Sequence, residues 1–433
     1  MEGQIFNMES RTLAGTTAAL AACLAAYVAI GFRKPSPASG SSSPNSKSSP
    51  ANAPTVSTLS QTPLIEVPSL SAATGCTILG KMEMLSIGGS SKDRLARAVI
   101  EDAEARGLIA PHQGHFIVEG TVGSTGISLA TIANAKGYKA LIIMPDDQAK
   151  EKYELLTQLG AKIEKVRPVS IADANHFVRI AERRAKEINA SGELNEQGNL
   201  IKAFFVNQFE TRVNAETHFN QTGPEIFNQI CALGLETKLD AFVMGAGTGG
   251  TLAGVSLYLK SRIPSLRVIL ADPEGSGLYY KVKNNIMYAP TEAEGTRKRH
   301  QVDTIVEGIG INRITANFQT ALNTPGLITD AIKVLDKEAV EMSRYILRND
   351  GLFCGSSTAV HLVAAVREAR RLGPGHTVLT FLCDSGARHL TKFWNEDYVN
   401  RAGLTPHSGL RIRAMTLSYS GYSPRGYLLC ALL

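Results

Sequence analysis

The chain has 433 residues, 44% hydrophobic and 19% charged, with a net charge of +6, a globular composition with room for two or three domains' worth of core. The positive excess sits in flanks: residues 33–62 carry Arg33, Lys34 and Lys47 and no acid, and 409–433 carry Arg411, Arg413 and Arg425 and no acid. A polyanion-binding core, and with it a nucleic-acid partner, is therefore not expected. Cys23, Cys76, Cys231, Cys354, Cys383 and Cys430 are scattered without a CxxC pair or a nearby histidine spacing, so neither a disulfide framework nor a metal site is expected.

Residues 13–32 run for twenty positions without a charge, eight of them alanine, long enough to cross a bilayer. Glu2 and Glu9 against Arg11 disfavour both a secretory signal and an arginine-rich presequence. Arg33 and Lys34 follow at once, and the positive-inside bias then predicts a signal anchor with the rest of the chain facing the cytosol. Residues 1–34 are read as that anchoring segment. Residues 35–61, rich in Ser, Pro, Ala and Asn, are a flexible tether.

From residue 62 strands and helices alternate. Strand-like runs occupy 76–82, 115–118, 140–144, 162–166, 204–207, 241–244, 267–271 and 377–382, with helical patterns such as 147–159, 172–188 and 359–372 between them. The pattern predicts an open α/β body with mainly parallel sheets, helices on both faces, and binding crevices at the carboxyl ends of strands.

Four loop-to-helix junctions carry the chemistry. In the first, Gly88, Gly89, Ser90 and Ser91 lead into Lys92, and a helix follows with Leu95, Ala98, Val99 and Ala103 on its apolar face. Arg94, Arg97, Glu101, Asp102 and Glu104 mark the expected wet face. Ser90, Ser91 and Asp93 are expected to cap the helix. Lys92 then stands at the positive end of a helix dipole, a setting that suits a nucleophilic amine. By itself it would read as a surface lysine. The second junction, Val118 to Gly126, closes a strand and opens a helix at 127–135, with small and hydroxyl residues that let backbone N–H groups approach an anion. A structural turn explains it equally well.

The third junction is stronger. Gly245, Ala246, Gly247, Thr248, Gly249, Gly250 and Thr251 lie between an apolar strand and a helix at 252–260, so the backbone can wrap a phosphate. The stretch also contains the G-x-G-x-x-G spacing of a dinucleotide loop, and Asp272 and Glu274 after the next strand leave that alternative open. The fourth, Cys354-Gly355-Ser356-Ser357-Thr358, is by itself an N-cap. Together the four offer a reactive lysine, an anion loop, a phosphate cradle and a hydroxyl, the set a phosphorylated aldehyde held as a Schiff base would use.

GGSSKDR around Lys92, EGTVGSTGISLA, the QFE ending at Glu210, GTGGT at 247–251, GSS at 355–357 and CDSGARHLTKFW at 383–394 occur in that order. The series resembles the cysteine synthase and cystathionine β-synthase family of pyridoxal-phosphate enzymes, fold type II (tryptophan synthase β-like), from about residue 62 to 398. It is most similar to the membrane-anchored, cysteine-synthase-like branch of the mitochondrial outer membrane. The resemblance implies pyridoxal 5'-phosphate as cofactor, Lys92 as Schiff-base lysine and base at the substrate α-carbon, and Gly247, Thr248, Gly249, Gly250 and Thr251 around the cofactor phosphate. It implies Thr121, Thr125 and Gln208 at the substrate carboxylate, Ser124 beside the cofactor, and Ser356 at the pyridine nitrogen. A hydroxyl there does not hold the ring nitrogen protonated as an aspartate would, which favours loss of a β-leaving group.

The implied reaction is β-replacement of O-acetylserine with sulfide to give cysteine and acetate, by a homodimer tethered to the membrane. β-Elimination, as in a cysteine desulfhydrase or serine/threonine dehydratase, and a silent membrane-bound adaptor are the alternatives. Three positions depart from the family pattern. Ser124 replaces an asparagine, Ser86 and Ile87 replace Asn-Pro, and the stretch 279–301 is long where specificity is set. Residues 62–402 are read as the catalytic body, and 403–433 have no periodicity that explains them.

Overall fold

The computed structural model describes residues 61–288 and 304–406. The expected anchor, the tether, most of the long stretch before residue 304 and nearly all of the tail lie outside them. Among the described residues no helix is long and apolar enough to cross a membrane.

Ten strands are present among the described residues: β1 (Leu64–Glu66), β2 (Thr77–Lys81), β3 (Phe116–Gly120), β4 (Lys139–Pro145), β5 (Lys162–Val166), β6 (Ala203–Phe205), β7 (Leu239–Gly245), β8 (Arg267–Pro273), β9 (Asp330–Val334) and β10 (Thr377–Phe381). They form a six-stranded sheet, β1-β2-β10-β7-β8-β9, and a four-stranded sheet, β5-β4-β3-β6. All pairings are parallel except β1 with β2, so the two open, mainly parallel sheets read from the sequence are found. β1 and β9 were not anticipated. β1 has three residues, and β9 reads Asp-Ala-Ile-Lys-Val with two charges, too short and too polar for a periodic signal.

Side-chain alternation divides the core of the large sheet. Ala241 and Val243 of β7 pack with Ile78, Ile269 and Val378 against the helix Ser356–Leu372. Phe242 and Met244 pack with Leu79, Val268 and Leu379 against the helix Gly250–Arg262. Strands buried on both faces need continuous apolar runs, and β7 and β8 have them at Ala241–Met244 and Val268–Ala271. The small sheet is built the same way around Ile117, Ile142 and Met144 on one face and Val118, Leu141 and Ile143 on the other.

The chain begins in the large sheet, builds the small one, and returns. Thr121 follows the end of β3, Ala246 the end of β7 and Leu382 the end of β10. The loops that read as chemical in the sequence therefore converge on one crevice between the sheets.

Candidate active site

Lys92 is the first residue of the helix Lys92–Ala105, with Ser91 at the N-cap. Its Nζ lies 3.2 Å from Ser91 Oγ, and its side chain lines a cavity of about 480 Å³. The expected capping is made differently. Ser91 makes no side-chain cap bond, while Ser90 Oγ accepts the Lys92 N–H at 3.3 Å. Asp93 turns back to accept from Ser86 Oγ at 2.5 Å and Gly88 N–H at 2.7 Å, so it stitches the glycine loop to the helix. Ser86, a departure from the family pattern, is thus engaged in that loop.

Arg94 is not on the wet face. It is buried, with two N–H groups on Glu83 at 2.8 and 2.9 Å and two on Glu225 at 2.7 and 3.0 Å. The partners stand eleven residues before and 131 residues after it, which the helical wheel could not reveal. Lys81 also joins Glu225. Burial pushes the Glu83 carboxyl up, but Arg94 beside it wins and holds it below the ordinary value.

The glycine-rich loop after β7 ends in Gly249, the N-cap of the helix Gly250–Arg262, at φ +85°. A Cβ on Gly249 would lie 2.7 Å from Phe318 Cβ and 2.8 Å from its backbone, so only glycine fits. Asn214 Nδ2 donates to Thr248 Oγ1 at 3.0 Å, and Thr315 Oγ1 donates to the Thr248 carbonyl at 2.6 Å. Gly247, Thr248, Gly249 and Thr251 line the cavity, and Gly250 lies just behind as the first helical residue. A concave backbone that admits no side chain, at the N-terminus of a thirteen-residue helix, suits a phosphate. Lys92 opens into the same cavity. The residues therefore fit a phosphorylated aldehyde.

Thr121, Ser124, Thr125 and Gln208 complete the wall. Thr125 Oγ1 donates to Gln208 Oε1 at 2.7 Å, and the Gln208 amide nitrogen donates to the Gly120 carbonyl at 3.5 Å. The preceding Asn207 adopts φ +53°, held by its N–H on Glu119 Oε2 at 2.8 Å. Glu119 is fully buried, and burial pushes its pKa up to about 8 against the Asn207 and Gln208 hydrogen bonds. Ser356 does not reach the cavity. Its buried hydroxyl accepts the Glu307 N–H at 3.0 Å, and the next residue, Ser357, lines the wall instead. Cys383 is also in the wall, but burial pushes its thiol up to about 12, so it stays a neutral filler.

Sequence reasoning missed a charged cluster on the cavity rim. Lys152 pairs with Glu307, and His389 lies between Glu307, 3.3 Å from Nδ1, and Asp384, 3.2 Å from Nε2. Burial pushes the His389 imidazole down, but the two carboxylates raise it above its ordinary 6.5. Ser124 Oγ donates to Asp384 Oδ2 at 3.3 Å and accepts from Arg388 at 3.2 Å. Lys152 comes from the small sheet's layer and Glu307 from a loop of the large one, so the pair spans the crevice. Its methylenes also cover Gly123, where a Cβ would lie 2.7 Å from Lys152 Cδ. The motif CDSGARHLTKFW contains Asp384, Arg388 and His389 and was the one available signal. Among the described residues no group of His, Cys, Asp and Glu could hold a metal ion.

Comparison with known proteins agrees with this geometry. Residues 57–384 match the family model described as pyridoxal-phosphate dependent enzyme. Cysteine synthase 2 of Schizosaccharomyces pombe is 51% identical over 80% of this chain and 85% of its own. Cysteine synthase 2 of Neurospora crassa is 54% identical over 78% of this chain and 72% of its own. Among solved structures, the O-acetylserine dependent cystathionine beta-synthase of Helicobacter pylori superposes with a TM-score of 0.62 at 30% identity, covering 78% of this chain and 97% of that one.

Proposed function

The chain belongs to the pyridoxal-phosphate dependent enzyme family, and on that premise we infer that it is a cysteine synthase, replacing the β-substituent of O-acetylserine with sulfide. The observation that carries the reading is that Lys92, the phosphate cradle and the Thr121–Thr125–Gln208 donor set line one cavity.

When bound, pyridoxal phosphate supplies an aldehyde for Lys92 and a ring that accepts electrons from the substrate α-carbon. The chain's own residues do the rest. Backbone N–H groups at 247–251 and the Thr248 and Thr251 hydroxyls hold the phosphate. Thr121, Thr125 and the Gln208 amide orient the substrate carboxylate, and Lys92 Nζ moves the proton at the α-carbon. Ser357, which lines the cavity where Ser356 does not, would offer a neutral hydroxyl to the ring nitrogen. Lys152 and Glu307 tie the small-sheet layer to the opposite rim.

The test is product analysis with O-acetylserine, serine, cysteine and threonine, each with and without sulfide. Cysteine and acetate from O-acetylserine and sulfide is the expected result. Pyruvate or 2-oxobutyrate independent of sulfide would replace synthesis with elimination.

Membrane attachment and homodimerisation belong to the same reading. The uncharged segment 13–32 followed by Arg33 and Lys34 supports a cytosol-facing anchor, and the membrane proposed for it is the mitochondrial outer membrane. Protease added to intact mitochondria is expected to release the catalytic body by cutting within 35–61. Protection until the membranes are lysed would reverse the orientation. Light scattering of the detergent-solubilised protein is expected to give twice the chain mass.

A further inference from the structure

His176 is a buried polar residue in the cavity wall that the mechanism above does not use. It is the N-cap of the helix Phe177–Ala190. Its Nδ1 accepts the Val178 N–H at 3.3 Å, and its ring stands against Phe177 with the centroids 4.1 Å apart. The start of this helix packs directly on the strand end that leads into Thr121. A Cβ on Gly120 would lie 2.7 Å from the Phe177 carbonyl and 2.8 Å from the Val178 nitrogen. His176 therefore lines the same cavity close to the donors assigned to the substrate carboxylate.

The cap fixes what the ring can offer. A neutral imidazole has one N–H and one free lone pair. The Val178 N–H occupies the lone pair of Nδ1, so the hydrogen sits on Nε2. A doubly protonated ring would lose the cap. Burial, with Arg313 and Arg179 nearby and only Asp173 opposing them, also pushes the imidazole down to about 4 and keeps it neutral. Arg313 is itself held by Glu210, with Nη1 2.6 Å from Oε1. Among the described residues Nε2 has no hydrogen-bond partner. The wall thus presents one uncharged N–H donor to whatever fills the cavity. Such a donor suits an oxygen on which negative charge develops during the reaction.

We propose that His176 is a leaving-group residue, whose Nε2–H donates to the acetyl carbonyl of O-acetylserine and sets the preference for an ester at the β-carbon. The assignment rests on the cysteine synthase reading above. In the step concerned, Lys92 Nζ takes the α-proton and the C–H electron pair becomes the second bond between the α- and β-carbons. The ester C–O bond breaks, and its electron pair leaves with acetate. The departing oxygen shares its charge with the carbonyl oxygen, so the Nε2–H bond strengthens as the C–O bond breaks. An interaction that strengthens in the transition state acts on kcat more than on KM.

The experiment measures kcat/KM of the loaded full chain, with sulfide, for O-acetylserine and for β-chloroalanine, whose chlorine sits directly on the β-carbon and carries no carbonyl. His176→Asn keeps a good N-cap but draws the donor back on a shorter arm. The ratio of the two kcat/KM values is expected to fall about tenfold to a hundredfold, the worth of one hydrogen bond to a charged group, with most of the loss in kcat. His176→Gln, which carries an amide N–H near the Nε2 position, is expected to recover most of that ratio. A histidine that only caps the helix predicts an unchanged ratio in His176→Asn. That result, or no recovery with glutamine, would overturn the proposal. Wild-type protein that makes cysteine from neither substrate would instead overturn the cysteine synthase reading. Histidine 15N NMR of the cofactor-free full chain, with His176→Asn to assign the signal, reads the donor directly. A neutral ring protonated on Nε2 is expected, and protonation on Nδ1 would sink the proposal.

Discussion

Two buried charge clusters lie within reach of the Lys92 helix, and they are built differently. Behind the helix, Lys81, Glu83, Arg94 and Glu225 pair two cations with two carboxylates, and Thr62 and Gln229 take part. None of their side-chain polar atoms is left without a hydrogen bond. On the cavity rim, Lys152, Glu307, His389 and Asp384 also pair, but Glu307 Oε1, Asp384 Oδ1 and His389 Nδ1 lack a well-formed hydrogen bond. The first cluster is completed by the fold and fixes where Lys92 starts. The second is left incomplete at the cavity wall. A fully satisfied network stiffens a core, while an unsatisfied one is costly and is kept where a function uses it.

The largest effect that would test this contrast is on stability. Arg94→Ala leaves the Glu83 and Glu225 carboxylates buried without their shared cation, and it is expected to cost about 3–5 kcal/mol in denaturant unfolding of the full chain. A loss below about 1 kcal/mol would mean that the cluster does not brace the helix.

Lys152→Met should divide the effects the other way. Glu307 keeps His389 and Lys392 as neighbours, so stability is expected to fall by less than in Arg94→Ala. The loop around Gly123 loses its cover, and kcat/KM for O-acetylserine is expected to fall roughly tenfold to a hundredfold, the penalty for a misplaced substrate. A variant as unstable as Arg94→Ala with unchanged kcat/KM would erase the distinction between the clusters.

Glu119 is a third case, a buried carboxyl with no cation. Its folded pKa is raised to about 8 from an ordinary 4.5, so the folded chain binds the extra proton. The stability this contributes is present below pH 4.5 and is lost as pH rises through about 8. Glu83 has the opposite sign, with a lowered folded value, and its contribution is lost in acid. Glu119→Gln is expected to gain on the wild type as pH rises from about 4.5 to about 8, by up to a few kcal/mol, since each tenfold change in proton affinity is worth about 1.4 kcal/mol. A difference that does not change with pH would show that Glu119 is ionised throughout.

The smallest effect concerns Ser124. Its bonds to Asp384 and Arg388, at 3.3 and 3.2 Å, are longer than good charge-assisted bonds. Ser124→Ala is expected to cost about 0.5–1.5 kcal/mol in unfolding. The notion that asparagine suits this position better predicts a faster single turnover of O-acetylserine in Ser124→Asn. A slower one would mean that the Arg388–Asp384 pair fits serine.

Most of the strands were legible because buried parallel strands are nearly all apolar, and β5, with three charges in Lys-Ile-Glu-Lys-Val, is the exception. The glycine cradle and Lys92 were legible because their chemistry is local to a few residues. Arg94 was misplaced because a helical wheel shows which face a residue takes, not whether that face meets Glu225 of a distant helix. Ser356 and Ser357 were separated by one residue, about 100° of helix, and that phase depends on Gly355 being the N-cap. Lys152, Glu307 and His389 come from separate parts of the chain, and only the fold brings them to one cavity. Sequence order carries no signal for such meetings.

The central claim is that Lys92 carries the cofactor, and one measurement tests it directly. The loaded full chain is reduced with borohydride, digested and analysed by mass spectrometry, beside Lys92→Ala treated identically. The pyridoxyl phosphate adduct is expected on the peptide containing Lys92, and none in the folded Lys92→Ala protein. An adduct on another lysine, or undiminished cysteine synthesis by Lys92→Ala, would contradict the claim.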